Sequence, residues 1–116
     1  MRILVCGGRD FCDQEFEYKI LDMINVPGEV SMIIEGGAAG ADTLAKNWAI
    51  SRGISFTEFK ADWKKYGKAA GYIRNKQMLV EGKPDLVIAF PGGIGTQNMI
   101  EQTKKAGIRV KSFSYK

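Results

Sequence analysis

Histidine is missing from all 116 residues. Its absence excludes Ser-His-Asp and Cys-His nucleophilic chemistry, together with every histidine-containing metal site. Cysteine is scarce, with Cys6 and Cys12 alone. Two cannot form a four-cysteine zinc site, and their spacing matches no metal motif. A buried Cys6 and an ordinary Cys12 is the expected arrangement, with a redox pair as the alternative. Long apolar runs are also lacking, and none approaches the roughly 18–20 residues of a membrane span. The opening run Met1–Cys6 leads straight into glycine, which reads as a strand and not a signal peptide. A cytoplasmic, reducing compartment is therefore expected, with no metal, cofactor or membrane implied.

The chain is 45% apolar and 26% charged, the composition of a globular protein, and its length suits one domain over residues 1–116. Seventeen basic against thirteen acidic residues leave a net charge of +4. That balance permits an anionic ligand or nucleic acid and selects neither. Glycine is the unusual count: fourteen residues, where an average chain of this length has about eight. Eight of them form three clusters, Gly7-Gly8, Gly36-Gly37 with Gly40, and Gly92-Gly93 with Gly95, each closely following an apolar run.

Apolar runs at Ile3–Cys6, Ser31–Ile34 and Asp85–Phe90 read as the first, second and fourth strands, nearly continuous as in a parallel sheet covered on both faces. Ile54–Glu58 and Ile108–Lys111 alternate apolar with polar residues, which suits edge strands. Helices are predicted over Asp13–Asn25, with Pro27-Gly28 as its stop, and over Asp42–Arg52, Ala69–Glu81 and Thr96–Ala106. The last carries Met99, Thr103 and Ala106 on one face. Strand alternating with helix implies right-handed crossovers. The predicted fold is therefore α/β, a small Rossmann-like three-layer sandwich around a five-stranded parallel sheet of order 3-2-1-4-5. Its switch point lies between strands one and four, where ligands bind outside the carboxyl ends of the strands. The three glycine clusters emerge at that rim.

Pro91-Gly92-Gly93-Ile94-Gly95-Thr96 closes a central strand and opens a helix, a placement suited to phosphate through free amides and the positive helix end. Thr96 is a further donor or the helix cap. No Gly-Lys-Ser/Thr follows, so this is not a Walker A loop. Gly36, Gly37, Gly40 and Asp42 repeat the arrangement after strand two, with Asp42 either a helix cap or a ligand contact. After strand one come Gly7, Gly8, Arg9 and Asp10. Arg9 suits a bidentate contact to phosphate, and Asp10 would orient Arg9 or a ribose hydroxyl; a plain surface pair is the alternative. Lys60–Lys68 mixes four lysines with Trp63 and Tyr66, a stacking platform beside phosphate-binding cations, or a solvated loop with Trp63 folded onto the core. Arg74 lies on an otherwise uncharged helix face with Gly71 and Met78, beside Asn75, which suggests an anion contact, with a surface salt-bridge residue as the alternative. Asn98 and Glu101 form a polar pair behind the third glycine cluster, and Glu101 is either the nearest acid–base candidate or a solvated helix glutamate.

Taken in order, Gly-Gly-Arg-Asp-Phe (7–11), Gly-Gly-Ala-Ala-Gly-Ala-Asp-Thr-Leu-Ala (36–45) with Trp48-Ala49, Ala61-Asp62-Trp63, Ala70-Gly71 with Arg74-Asn75 and Met78, and Ala89-Phe90 with Pro91–Thr96 resemble the YspA-like family of the SLOG superfamily along essentially the whole chain. Its second half is also similar to the LOG (Lonely Guy) phosphoribohydrolases, which release the base from a nucleoside 5′-monophosphate. Their Arg-Lys-x-x-Met is matched by Arg74 and Met78, with Asn75 for the lysine. Their Pro-Gly-Gly-x-Gly-Thr-x-Glu-Glu is matched as far as Thr96. The two glutamates fall on Asn98 and Met99. An amide cannot take a proton, so base release here would need Glu101, Asp10 or Glu35 instead.

Three functions follow from these readings. The first is binding of a nucleotide or nucleotide-derived signal, a role the resemblance implies through SLOG sensor domains. Phosphate would lie on Pro91–Thr96 with Arg9 or Arg74, and the base near Trp63 or Tyr66. The second is a nucleotide N-glycosidase with Arg74 and Glu101 as catalytic residues. The third is a nucleic-acid-binding module using Lys60–Lys68. The LOG resemblance also implies a homodimer.

Overall fold

A computed structural model gives the fold, and residues 1–26 and 28–114 are described. Five strands, β1 (Arg2–Cys6), β2 (Met32–Glu35), β3 (Ser55–Glu58), β4 (Leu86–Ala89) and β5 (Arg109–Ser112), pair in parallel in the order β3-β2-β1-β4-β5. Helices α1 (Gln14–Ile24) and α2 (Ala41–Ser51) cover one face; α4 (Ala70–Gly82) and α5 (Ile94–Lys105) cover the other. The protein is thus a Rossmann-like α/β sandwich with the predicted strand order. The central strands are buried along almost their whole length, while β3 and β5 stay largely open to solvent, as their alternating sequences require.

Successive residues of β1 face opposite layers. Ile3 and Val5 join the core under α1 and α2, whereas Leu4 and Cys6 join the one under α4 and α5. Fully burying each such aliphatic side chain contributes about 1.5–3 kcal/mol. Trp48 on α2 is fully buried, and its indole N–H donates to Asp22 Oδ1 at 2.8 Å, which ties α2 to α1. Asp22 also pairs with Arg52 at 2.7 Å.

Several local expectations shift. Residues 63–69 fold as a short helix α3 (Trp63–Tyr66) and a 3-10 turn (Gly67–Ala69), where the sequence suggested a lysine loop. Asp62 caps α3 by accepting from the Lys65 amide at 3.0 Å. Asp42 and Thr96 are not caps, because α2 and α5 begin earlier, after Gly40 and Gly93. Gly82 lies inside α4, and Lys83 takes the left-handed stop at φ 49°. A side chain at Gly82 would press on Ile34, so packing and not termination asks for glycine there. Ala106 is exposed just past the end of α5. The Pro27 half of the first helix stop lies outside the described residues; Gly28, at φ 90°, donates its amide to the Asn25 carbonyl. No helix among the described residues is long and apolar enough to cross a membrane.

Candidate functional site

The carboxyl ends of β1, β2 and β4 deliver the three glycine clusters to one rim, where they lock together. Gly8 donates to the Pro91 carbonyl at 2.8 Å, and its own carbonyl accepts from Ala41 at 3.3 Å. Gly40 sits at φ 78°, and a side chain there would collide with the Gly8 carbonyl. A side chain at Gly92 would collide with Thr96 Oγ1 and the Gly8 amide. Gly7 is closed in by Ala41 and Phe90, Gly36 by Arg74, and Gly37 turns at φ 73°. Phe11 anchors the first loop by stacking on Phe90 with ring centroids 5.3 Å apart, and Phe16 and Phe113 complete the cluster.

Gly93 and Gly95 behave differently. Both are exposed, and a Cβ built on either meets no atom within 4 Å. The protein's own packing therefore does not demand glycine at the start of α5. The first amides of a helix have no intrahelical partner and carry the positive end of its dipole.

That open helix start walls a cleft of about 440 Å³, with Cys6 at its floor and Trp63, Arg9, Arg74 and Asp42 around it. Trp63 is 49% exposed instead of folded onto the core, and the Arg9 guanidinium lies 5.6 Å from its ring centroid, within cation–π range. Arg74 is half-buried; its Nη1 donates to the Gly36 carbonyl at 2.5 Å and its Nε to Asn75 Oδ1 at 3.2 Å. Burial holds its pKa below the usual guanidinium value; Asp42 opposes that shift and Arg9 adds to it. Among the described residues, neither Arg9 nor Arg74 has a carboxylate oxygen within 4 Å.

Asp42 is buried, and its Oδ2 accepts from the Gly36 and Ala38 amides at 3.1 and 3.2 Å. Burial pushes its carboxyl up to about 6 against those amides and Arg74. Asn75 is buried between α4 and α5, donating to the Gly95 carbonyl and to Asn98 Oδ1, both at 3.1 Å. Asn98 also accepts from Gln102 at 2.7 Å. Both amides thus act as a latch that sets the start of α5 against Arg74.

Glu101 is exposed on α5, within 3.5 Å of the Gln97 amide, and lines neither cleft at this rim. Glu35 is buried with Oε1 accepting from Gly37 at 2.6 Å; burial and the neighbouring Glu58 carboxylate push it up to about 8. Asp10, Pro91 and Gly92 line a second cleft, described below. Cys6 is buried and Cys12 exposed, both free, and burial pushes the Cys6 thiol well up. Of the described lysines, only Lys68 lines the first cleft; Lys60 pairs with Glu58 at 3.7 Å.

One buried group has no counterpart in the sequence reading. Glu17 of α1 is fully buried, and neither carboxyl oxygen has a hydrogen-bond partner. Burial, with a further push from Asp42, raises it to about 9, so it is a neutral acid at pH 7. A glutamate beside Phe16 on an amphipathic helix reads as solvent-facing, and nothing in the sequence signals otherwise.

Among known proteins, the family described as YspA, cpYpsA-related SLOG family matches residues 1–66. The Gene 61 protein of Mycobacterium phage D29 is 35% identical over 123 residues, covering 99% of this chain and 98% of that protein. Among solved structures, phosphoribosylglycinamide formyltransferase from Bacillus halodurans aligns over 93% of this chain and 66% of its own, at 17% identity and a TM-score of 0.44. The chain thus spans about two thirds of that enzyme, at a likeness too low to bear on function.

Proposed function

The chain belongs to the YspA, cpYpsA-related SLOG family, and from that premise we propose that it binds a nucleotide or nucleotide-derived molecule in the first cleft. One observation carries the reading. Arg9 and Arg74, which among the described residues have no carboxylate oxygen within 4 Å, share a cleft with the open start of α5 and an exposed Trp63 ring. A half-buried cation is costly unless an anion completes it, and a phosphate on the α5 amides would supply that anion. The Trp63 face beside it suits a base. Family membership supports a ligand-binding role in general, and the nucleotide is the finer reading of this cleft.

A turnover reading shifts its carboxyl from Glu101 to Asp42, the acidic side chain that lines the same cleft. Its pKa near 6 is in the range useful for proton transfer near neutrality, although two loop amides already hold one of its oxygens.

The test is thermal unfolding of the purified protein with nucleoside mono- and diphosphates, cyclic nucleotides and short single-stranded DNA. A ligand at 100 times its dissociation constant adds about 2.7 kcal/mol, which raises the midpoint by several degrees for a domain of this size. A shift with nucleotides, weakly dependent on salt, is expected. A shift with DNA alone, steeply lost with added salt, would move the site to the lysine segment. Chromatography of the same mixtures separates binding from hydrolysis; release of free base that Asp42→Asn abolishes would make the protein an enzyme.

A further inference from the structure

A second cleft, of about 590 Å³, lies on the other side of the Gly93–Thr96 wall, toward β5. The two clefts share Gly8, Arg9, Gly93 and Thr96 as lining, so they flank a single ridge. Each lies within the roughly 300–1,000 Å³ of a small-molecule site, and they straddle the switch point between β1 and β4, where an open α/β sheet accommodates two-armed ligands across its crevice.

The chemistry of the two arms differs. The first cleft offers Arg74 and the Trp63 ring. The second has a floor of Phe11, Phe90 and Phe113, and above it Asp10, Gln97 and Ser112. Among the described residues no hydrogen bond or ion pair engages the Asp10 carboxylate. A free carboxylate, an amide and a hydroxyl suit several hydroxyl groups. The same carboxylate repels a phosphate, and among the described residues the only cation lining that side is the shared Arg9.

We propose that the second cleft is a subsite for a neutral, hydroxyl-rich glycosyl group, so that the ligand is a nucleoside diphosphate sugar whose diphosphate crosses the shared ridge. This rests on the nucleotide reading of the first cleft and goes further by naming the group attached beyond the phosphates. The base occupies the Trp63 side, the diphosphate meets Arg9, Arg74 and the α5 amides, and the sugar hydroxyls donate to Asp10. Nucleoside triphosphates are disfavoured, because their terminal phosphate would face Asp10.

The experiment is calorimetric titration of the full chain with ADP, GDP and UDP, and with ADP-ribose, GDP-mannose and UDP-glucose. For at least one base, the diphosphate sugar is expected to bind about tenfold or more tightly than its parent diphosphate, the scale of one charge-assisted hydrogen bond. Asp10→Asn should remove most of that gain, read as the ratio of conjugate to diphosphate affinity measured on the same variant. Gln97→Ala, on an exposed helix position, should remove part of it. If a diphosphate binds and its sugar conjugate binds no better, the second subsite is wrong and the phosphate site stands. If the conjugate gains but Asp10→Asn keeps the full gain, the sugar lies elsewhere and the proposal fails. If none of the six probes binds, the nucleotide reading falls and this inference falls with it.

Discussion

Gly92 and Gly93 are neighbours in sequence and opposites in the fold. Gly92 is wedged between Thr96 and Gly8 and would admit no side chain, whereas Gly93 opens onto empty space. The same contrast divides the whole rim. On its inner side Gly7, Gly8, Gly36, Gly40 and Gly92 interlock three loops, with the sealed Glu17 buried under α1. On its outer side Gly93 and Gly95 lie bare beside two arginines that, among the described residues, have no carboxylate oxygen within 4 Å. A glycine cluster thus combines two roles. Some of its members are required by the fold, and the rest are free for a ligand.

The largest expected effect breaks the sealed side by titration. Glu17, Glu35 and Asp42 all have folded pKa values raised above their usual ones, to about 9, 8 and 6. Raised acids contribute stability that is complete below the unfolded pKa and is lost as pH rises through the folded one. Stability should therefore decline from about pH 4.5 toward pH 9. Glu17 alone accounts for up to about 1.4 kcal/mol per pH unit across that window. Glu17→Gln should flatten the slope, so that chemical denaturation at pH 8 finds the variant more stable than the parent and at pH 4 nearly equal to it. Parallel pH profiles would show that Glu17 is not sealed.

Next in size is the interlock itself. Gly40→Ala forces a Cβ onto the Gly8 carbonyl at a positive φ and should cost about 2–4 kcal/mol, a fall of ten degrees or so in the unfolding midpoint. A loss under 1 kcal/mol would mean the loops tolerate separation. On the open side, Arg74→Gln should weaken nucleotide binding by about 30- to 100-fold, the scale of a charge-assisted contact. Its stability should fall by about 1–2 kcal/mol, because the Gly36 carbonyl and Asn75 Oδ1 each lose a donor. Unchanged affinity in a titration would take Arg74 out of the site.

The sheet was legible because buried central strands must be nearly continuous in apolar residues, and Ile-Leu-Val, Met-Ile-Ile and Leu-Val-Ile-Ala are. Arg74 was legible as a charge on an otherwise uncharged helix face. The helix α3 was not, since four residues are too few to show a period. Asn98, which the sequence pairs with Glu101 behind the third glycine cluster, faces Asn75 and Gln102 in the latch between α4 and α5; hydrogen-bond partners far apart in the chain leave no local pattern. Glu17 stayed hidden because a lone acid beside apolar neighbours looks solvent-facing. The two kinds of glycine were indistinguishable for a simpler reason: what separates them is the space around a missing Cβ.

That space gives the most direct test of the account. Gly95→Ala places a methyl group in the first turn of α5, where, among the described residues, nothing beyond its chain neighbours and the helix's own backbone lies within 4 Å. The ligand-free variant should be more stable by about 0.5–1 kcal/mol, because alanine favours the helix over glycine. Its thermal midpoint should therefore rise by a few degrees, while the further rise on adding a nucleoside diphosphate should shrink about tenfold in apparent affinity. Stability and binding moving in opposite directions is the expected result. A variant that gains stability and still binds the diphosphate as tightly as the parent would contradict the claim that the open start of α5 is where the phosphate lies.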